Sequence, residues 1–153
     1  MKLTLGFSPC PNDTFIFDAL IHHKIDTEGL EFDVQYQDVE TLNQQAFRGT
    51  LDITKLSYHA FAYAAKDYEL LDAGSALGFG VGPLLIAKDE KLAARLQAIL
   101  DGKAELSTED SKLRVGIPGK YTTANFLLGL ALPALQDKIA LVFSDIEQAL
   151  LEE

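Results

Sequence analysis

The chain has 153 residues, 48% of them hydrophobic, with 13 Lys and Arg against 23 Asp and Glu for a formal charge of −10. That apolar share is enough for a packed core and leaves no segment that reads as disordered. The acidic balance, with no basic stripe, excludes a nucleic-acid partner, because counterion release needs clustered cations. One cysteine, Cys10, excludes an internal disulfide. No apolar run nears the roughly 20 residues that span a bilayer. Met1–Cys10 lacks the uninterrupted apolar stretch of a signal peptide. A cytoplasmic protein without membrane contact is therefore expected.

Strand and helix patterns alternate along the chain, the mark of an α/β fold with parallel strands. Residues 2–7 read as a strand and 8–14 as a loop. Residues 15–24 then show helical apolar spacing through Phe15, Ile16, Ala19 and Leu20, with Asn12 or Asp13 as N-cap. Residues 31–37 alternate as a half-buried strand with Phe32, Val34 and Tyr36 on one face. Asp38 opens a helix carrying Val39, Leu42, Ala46 and Phe47, and Gly49 ends it. A strand is expected over 51–56, a short helix from Ser57 through Ala65, and a brief extended piece over 69–72. Gly78, Gly80 and Gly82 precede an apolar run, 84–87, that reads as a strand.

Residues 90–101 form an amphipathic helix stopped by Gly102, and polar residues 103–112 read as a linker. A second unit follows, with a strand at 113–117, a turn at 118–121, a helix at 122–132 and a strand at 139–143. Ser144 and Glu147 have the spacing of a capping box. The expected division is a first α/β lobe over 1–88, a helix and linker over 89–112, and a second lobe beginning at 113. With two good strands in 113–153, that second lobe is expected to be incomplete and the chain truncated within it.

Ligands of open α/β sheets bind beyond the carboxyl ends of the strands. Three such junctions are rich in small polar residues: Ser8 to Thr14, Lys55-Leu56-Ser57, and Gly119 to Thr123. Hydroxyls and free backbone N–H groups at a helix start suit a small carboxylate, although Ser and Thr also cap helices without any ligand. The segment from Pro118 to Ala124 lacks phosphate-loop spacing and no G-x-G-x-x-G follows the first strand, so no nucleotide cofactor is expected. His22 and His23 are adjacent and so point to different faces of a helix end, and Cys10 has no partner at ligand spacing, so no metal is expected. His59 stands two residues after Ser57 without the orienting group of a catalytic pair and reads as structural or pocket-lining, and Ser8, Cys10 and Asn12 read as pocket-lining.

The stretch from Ser8 to Phe17 (SPCPNDTFIF) resembles the opening motif of the 1,4-dihydroxy-6-naphthoate synthases of the futalosine route to menaquinone. The resemblance continues through Asp52–Ala60 and Gly78–Ala87, resumes at Arg114–Gly119 and Thr122–Phe126, and is loosest over 89–112. It implies a fold like type-2 periplasmic binding proteins, two lobes with a cleft between them. It also implies a lyase that converts cyclic dehypoxanthinyl futalosine to 1,4-dihydroxy-6-naphthoate. Lys55, Leu56 and Ser57, with Thr122 and Thr123, match the family's substrate contacts. The family's general-base histidine falls beyond Glu153, so no catalytic residue is assigned within this chain and the fragment alone is expected to be nearly inactive. Chorismate dehydratase shares the implied fold but opens on a different motif. A cytoplasmic small-carboxylate binding or sensing module is the alternative from another class.

Overall fold

A computed structural model describes residues 1–152. The chain divides into two compact units, Met1–Phe79 and Gly80–Glu153. Both are mixed α/β units with small parallel sheets.

In the first unit, strand β1 (Lys2–Phe7) is central, flanked by β2 (Glu31–Tyr36) and β3 (Ile53–Thr54) in the order β2-β1-β3, and both pairings are parallel. Leu5 and Phe7, on one face of β1, are fully buried. Helix α1 (Pro11–Ile21) starts four residues before the apolar spacing places it. Pro11 takes the first helical position, where its missing N–H costs nothing, and Cys10 is the N-cap in place of Asn12 or Asp13. Helix α2 (Val39–Phe47) begins as expected, with Asp38 accepting from the Glu40 and Thr41 amides, and it buries Leu42, Asn43 and Ala46. Helix α3 (Tyr58–Ala64) follows N-cap Ser57 and buries Ala60 and Ala64.

Gly6 is required by close approach. A Cβ there would stand 2.6 Å from Leu51 Cδ1 and 2.8 Å from Leu42 Cδ2, both in the core. At the start of the sheet, Asp52 Oδ2 accepts from the Thr4 amide at 2.8 Å and the Thr4 hydroxyl at 2.7 Å. Those two donors, the amide first, hold the Asp52 carboxyl below the usual carboxylate range.

The strand expected over 51–56 is regular only at Ile53–Thr54, although the Lys55 amide still donates to Gly6 O at 2.8 Å. Residues 69–72 and 84–87 form no strand, because among the described residues no strand pairs with either segment. Leu77, Phe79, Val81 and Leu84 are each more than three-quarters exposed, at 81%, 89%, 76% and 86%. Their hydrophobicity therefore supports a strand in the sequence without an apolar surface to bury it.

In the second unit, helix α4 (Glu90–Leu100) is capped by Asp89 and ends before Gly102, whose φ of 70° only glycine adopts at low cost. Strands β4 (Val115–Ile117) and β5 (Lys138–Ala140) pair in parallel around helix α5 (Thr123–Ala131), and helix α6 (Ile146–Glu152) closes the unit against β4. Leu96, Ile117, Leu132 and Leu135 are its buried apolar residues. The capping box expected at its end does not form in the expected way. Ser144 donates its hydroxyl to Asp145, and residues 143–145 make a 3-10 turn before α6.

The polar segment 103–112 is pinned. Asp110 accepts from Arg95 Nε at 3.1 Å and Nη2 at 2.7 Å, and from the Ser107 amide and hydroxyl, each at 2.7 Å. Arg95, then Ser107, holds its carboxyl far below the usual range. A depressed folded-state value stabilises the fold above the unfolded carboxylate range of about 4, and that contribution is lost as pH falls through the folded value. Asp110→Asn is therefore expected to weaken the fold at neutral pH and to flatten the acid limb of its stability profile. Circular dichroism during acid titration measures this, and a limb identical to that of the unmodified chain would remove the Arg95–Asp110 pair from acid stability.

Candidate functional site

In the first unit, two of the polar junctions meet at the carboxyl ends of β1 and β3. Just after β1, Ser8 donates its amide (3.1 Å) and its hydroxyl (2.8 Å) to Asp13 Oδ2. Asp13 belongs to the first turn of α1 and is buried. Its other oxygen lies 3.5 Å from Lys55 Nζ, with the two side chains 12% and 21% exposed. Lys55 Nζ also donates to Gly74 O at 2.7 Å. One carboxylate therefore joins the ends of β1 and β3, and its charge is balanced by the Lys55 ammonium.

Ser57 is held from a different side. Asn43 on α2, fully buried, accepts the Ser57 amide at Oδ1 (3.0 Å) and donates from Nδ2 to Ser57 Oγ (3.4 Å) and to Glu40 Oε2 (3.3 Å). The junction was expected to offer free backbone N–H groups, but the Ser57 amide is occupied by Asn43. The Ser57 hydroxyl makes no capping bond to α3. Leu56, between Lys55 and Ser57, is half-buried.

The pocket-lining residues divide. The hydroxyl and amide of Ser8 are engaged by Asp13, whereas Cys10 and Asn12 are exposed at the start of α1. Cys10 donates its amide to Ser8 Oγ at 3.4 Å, and its carbonyl accepts from Thr14 Oγ1 at 3.1 Å. The half-buried His59 ring meets Tyr63 edge-on, with centroids 5.4 Å apart and planes at 73°. Next to Ser57, Tyr58 OH and Ser75 Oγ share a hydrogen bond at 2.7 Å.

In the second unit, Thr122 is 3% exposed and its hydroxyl is committed locally. It donates to Gly119 O at 2.8 Å and accepts from the Asn125 amide at 3.3 Å, closing the N-terminus of α5. Thr123 is half-buried at the first helical position, where the amide has no intrahelical carbonyl to reach. Asn125 ties this turn together, donating to Lys120 O at 2.8 Å and accepting from Lys138 Nζ at 3.0 Å.

Sequence reasoning weighs Asp13 only as a helix cap and does not single out Asn43. The usable signal for Asn43 is a short polar residue beside Leu42 and three before Ala46, in the stripe that α2 buries. For Asp13 it is an acid five residues after the serine that follows a central strand.

A model of the family described as menaquinone biosynthesis matches residues 3–153. The 1,4-dihydroxy-6-naphthoate synthase of Thermus thermophilus is 48% identical over 128 residues, 84% of this chain and 41% of that protein. The protein of the same name from Streptomyces coelicolor is 42% identical over 99 residues, 63% of this chain and 35% of its own length. A crystal structure of a protein from Archaeoglobus fulgidus superposes with a TM-score of 0.80 at 36% identity, covering 99% of this chain and 50% of that one. The chain thus spans less than half the length of the curated relatives it matches.

Proposed function

From the premise that the chain belongs to the menaquinone biosynthesis family, we propose that it is the N-terminal portion of a 1,4-dihydroxy-6-naphthoate synthase. The proposed enzyme is a cytoplasmic carbon–carbon lyase that converts cyclic dehypoxanthinyl futalosine to 1,4-dihydroxy-6-naphthoate. The observation that carries the reading is the 48% identity, over 84% of this chain, to a relative bearing that name. Among the described residues no helix is long and apolar enough to cross a membrane.

In this reading the fold is a type-2 periplasmic-binding-protein-like pair of lobes, the first over 1–88, the second starting at 113, with 89–112 between them. Lys55, Leu56 and Ser57 contact the substrate from the first lobe and Thr122 and Thr123 from the second, while Ser8, Cys10, Asn12 and His59 line the pocket. The local chemistry gives these residues different tasks. Lys55 is already neutralised by Asp13, so its ammonium contributes less to binding a carboxylate than its charge implies. The Ser57 hydroxyl has no capping bond and serves as a donor. Thr122 uses its hydroxyl to hold α5, which leaves the α5 first-turn amide of Thr123 as the donor on that side. The half-buried Leu56 supplies apolar surface for a fused ring.

Proton abstraction by a positioned base is worth roughly 10²–10⁴ in rate. The proposed base is a histidine beyond Glu153, so the 153-residue chain should turn over at least about a hundredfold more slowly than a version extended to the length of its relatives. Formation of the naphthoate from cyclic dehypoxanthinyl futalosine, followed by chromatography, tests both points. No product from the extended protein would end the lyase reading. Equal rates from both would move the base into this chain, with His59 the first residue to replace.

A further inference from the structure

We infer that Asn43 is a positioning residue, which fixes the Ser57 hydroxyl as an outward hydrogen-bond donor to a carboxylate oxygen of the substrate. The inference rests on the reading of Ser57 as a substrate contact and adds the residue that sets its polarity.

A backbone N–H can only donate, so the Ser57 amide at 3.0 Å fixes the Asn43 side chain with Oδ1 toward it. The amide nitrogen Nδ2 is then turned toward Glu40 Oε2 at 3.3 Å and Ser57 Oγ at 3.4 Å, one for each of its two hydrogens. The Glu40 carboxylate is an acceptor, which reinforces this orientation, and Gln44 Nε2 donates to its other oxygen at 2.9 Å. Ser57 Oγ must therefore accept from Asn43, and its own proton is directed elsewhere. It is not used in capping, since Ser57 makes no side-chain bond to the amides of α3.

A serine hydroxyl has a single proton, and binding an anion requires that this proton be turned toward the ligand and not toward an acceptor within the protein. Here that choice is made within the fold by a residue with no exposure. The orientation of the Asn43 amide is set by its three hydrogen bonds, to the Ser57 amide, Ser57 Oγ and Glu40 Oε2, in a buried position. The arrangement leaves the hydroxyl proton for an acceptor ligand, and an ionised carboxylate oxygen is the acceptor that gains most from it.

Asn43→Asp reverses this polarity with almost no change in shape. One oxygen still accepts the Ser57 amide, and the other faces Ser57 Oγ as an acceptor, so the hydroxyl turns inward to donate to it. Because the new carboxylate would stand against Glu40, the substitution is made together with Glu40→Gln, whose amide can donate to it. In the full-length protein, the pair is expected to raise KM for cyclic dehypoxanthinyl futalosine roughly tenfold or more, the usual effect of losing a hydrogen bond to a charged group. The turnover number should change less. Ser57→Ala should raise KM by a similar factor, and adding the Asn43 and Glu40 changes to Ser57→Ala should raise it no further. A merely structural role for Asn43 would give the same KM effect with or without the Ser57 hydroxyl, and that result would overturn the inference.

Amide hydrogen exchange provides a readout independent of catalysis. The Ser57 amide is expected to be protected in the unmodified protein and after Asn43→Asp, and exposed to exchange after Asn43→Ala. Rapid exchange in the unmodified protein would overturn the Asn43 contact itself. Protection of that amide together with no turnover by the unmodified protein would instead reject the substrate reading, and with it the donor role assigned to the hydroxyl.

Discussion

Replacing Phe7 by alanine is expected to cost about 3–5 kcal/mol, the range for emptying an aromatic site in a packed core. Phe7 ends the central strand with no exposure, and its ring lies 4.6 Å from that of Phe17 and 5.0 Å from that of Tyr36. Those two partners come from α1 and β2, so one side chain joins three elements of the first unit. The tilted and edge-on geometries add to the burial term beyond area alone. Phe15, on the same helix as Phe17 but 84% exposed, provides the internal comparison, and its replacement by alanine should change stability by less than about 0.5 kcal/mol. Denaturant titration followed by far-ultraviolet circular dichroism measures both. A loss below about 1 kcal/mol for Phe7→Ala would mean that the site collapses freely, against the packing described.

Asp13→Ala should be the next most damaging change, at about 2–4 kcal/mol. Three donors lose their acceptor at once: the Ser8 amide, the Ser8 hydroxyl and the Lys55 ammonium. The Lys55 side chain is 21% exposed, so its charge would be left largely out of water with only the Gly74 carbonyl to receive it. Asp13→Asn keeps an acceptor for Ser8 and should cost less than half as much, its remaining deficit being the lost charge on Lys55. Equal losses from the two substitutions would show that the carboxylate charge, and not its hydrogen bonding, holds the ends of β1 and β3 together.

The contrast between Phe15 and Phe17 also shows what the sequence could and could not convey. Three consecutive apolar residues, Phe15-Ile16-Phe17, point in directions about 100° apart on a helix, so hydropathy alone gives no phase. The spacing through Phe15 and Ile16 indicated a packed face, yet it is Phe17 that meets Phe7. Where the signal was chemical, it could be read directly. Asp38 caps α2, Gly49 (φ 64°) and Gly102 follow the ends of their helices, and the parallel pairing follows from the strand–helix alternation. The run 84–87 read as a strand because apolar composition was the only cue, and a strand is settled by its neighbours. At the site, residue type identified the junctions that carry Ser8, Lys55, Ser57 and Thr122. It did not reveal which of their polar atoms were already occupied, because Asp13 and Asn43 act from positions 42 and 14 residues away in sequence, on Lys55 and Ser57 respectively.

The order β2-β1-β3 also bears on how the first unit assembles. The strand made first is the one that ends in the middle, and its register joins Leu3 to Phe32 and Leu5 to Ile53. No local hairpin can hold it meanwhile, since parallel partners arrive only after a crossover. At about 5–20 residues per second of synthesis, Leu5 and Phe7 wait some 2–10 s before β3 leaves the ribosome. The closing of those long loops, and not the formation of any single helix, is therefore expected to limit the rate at which the sheet and the Ser8–Asp13–Lys55 junction form.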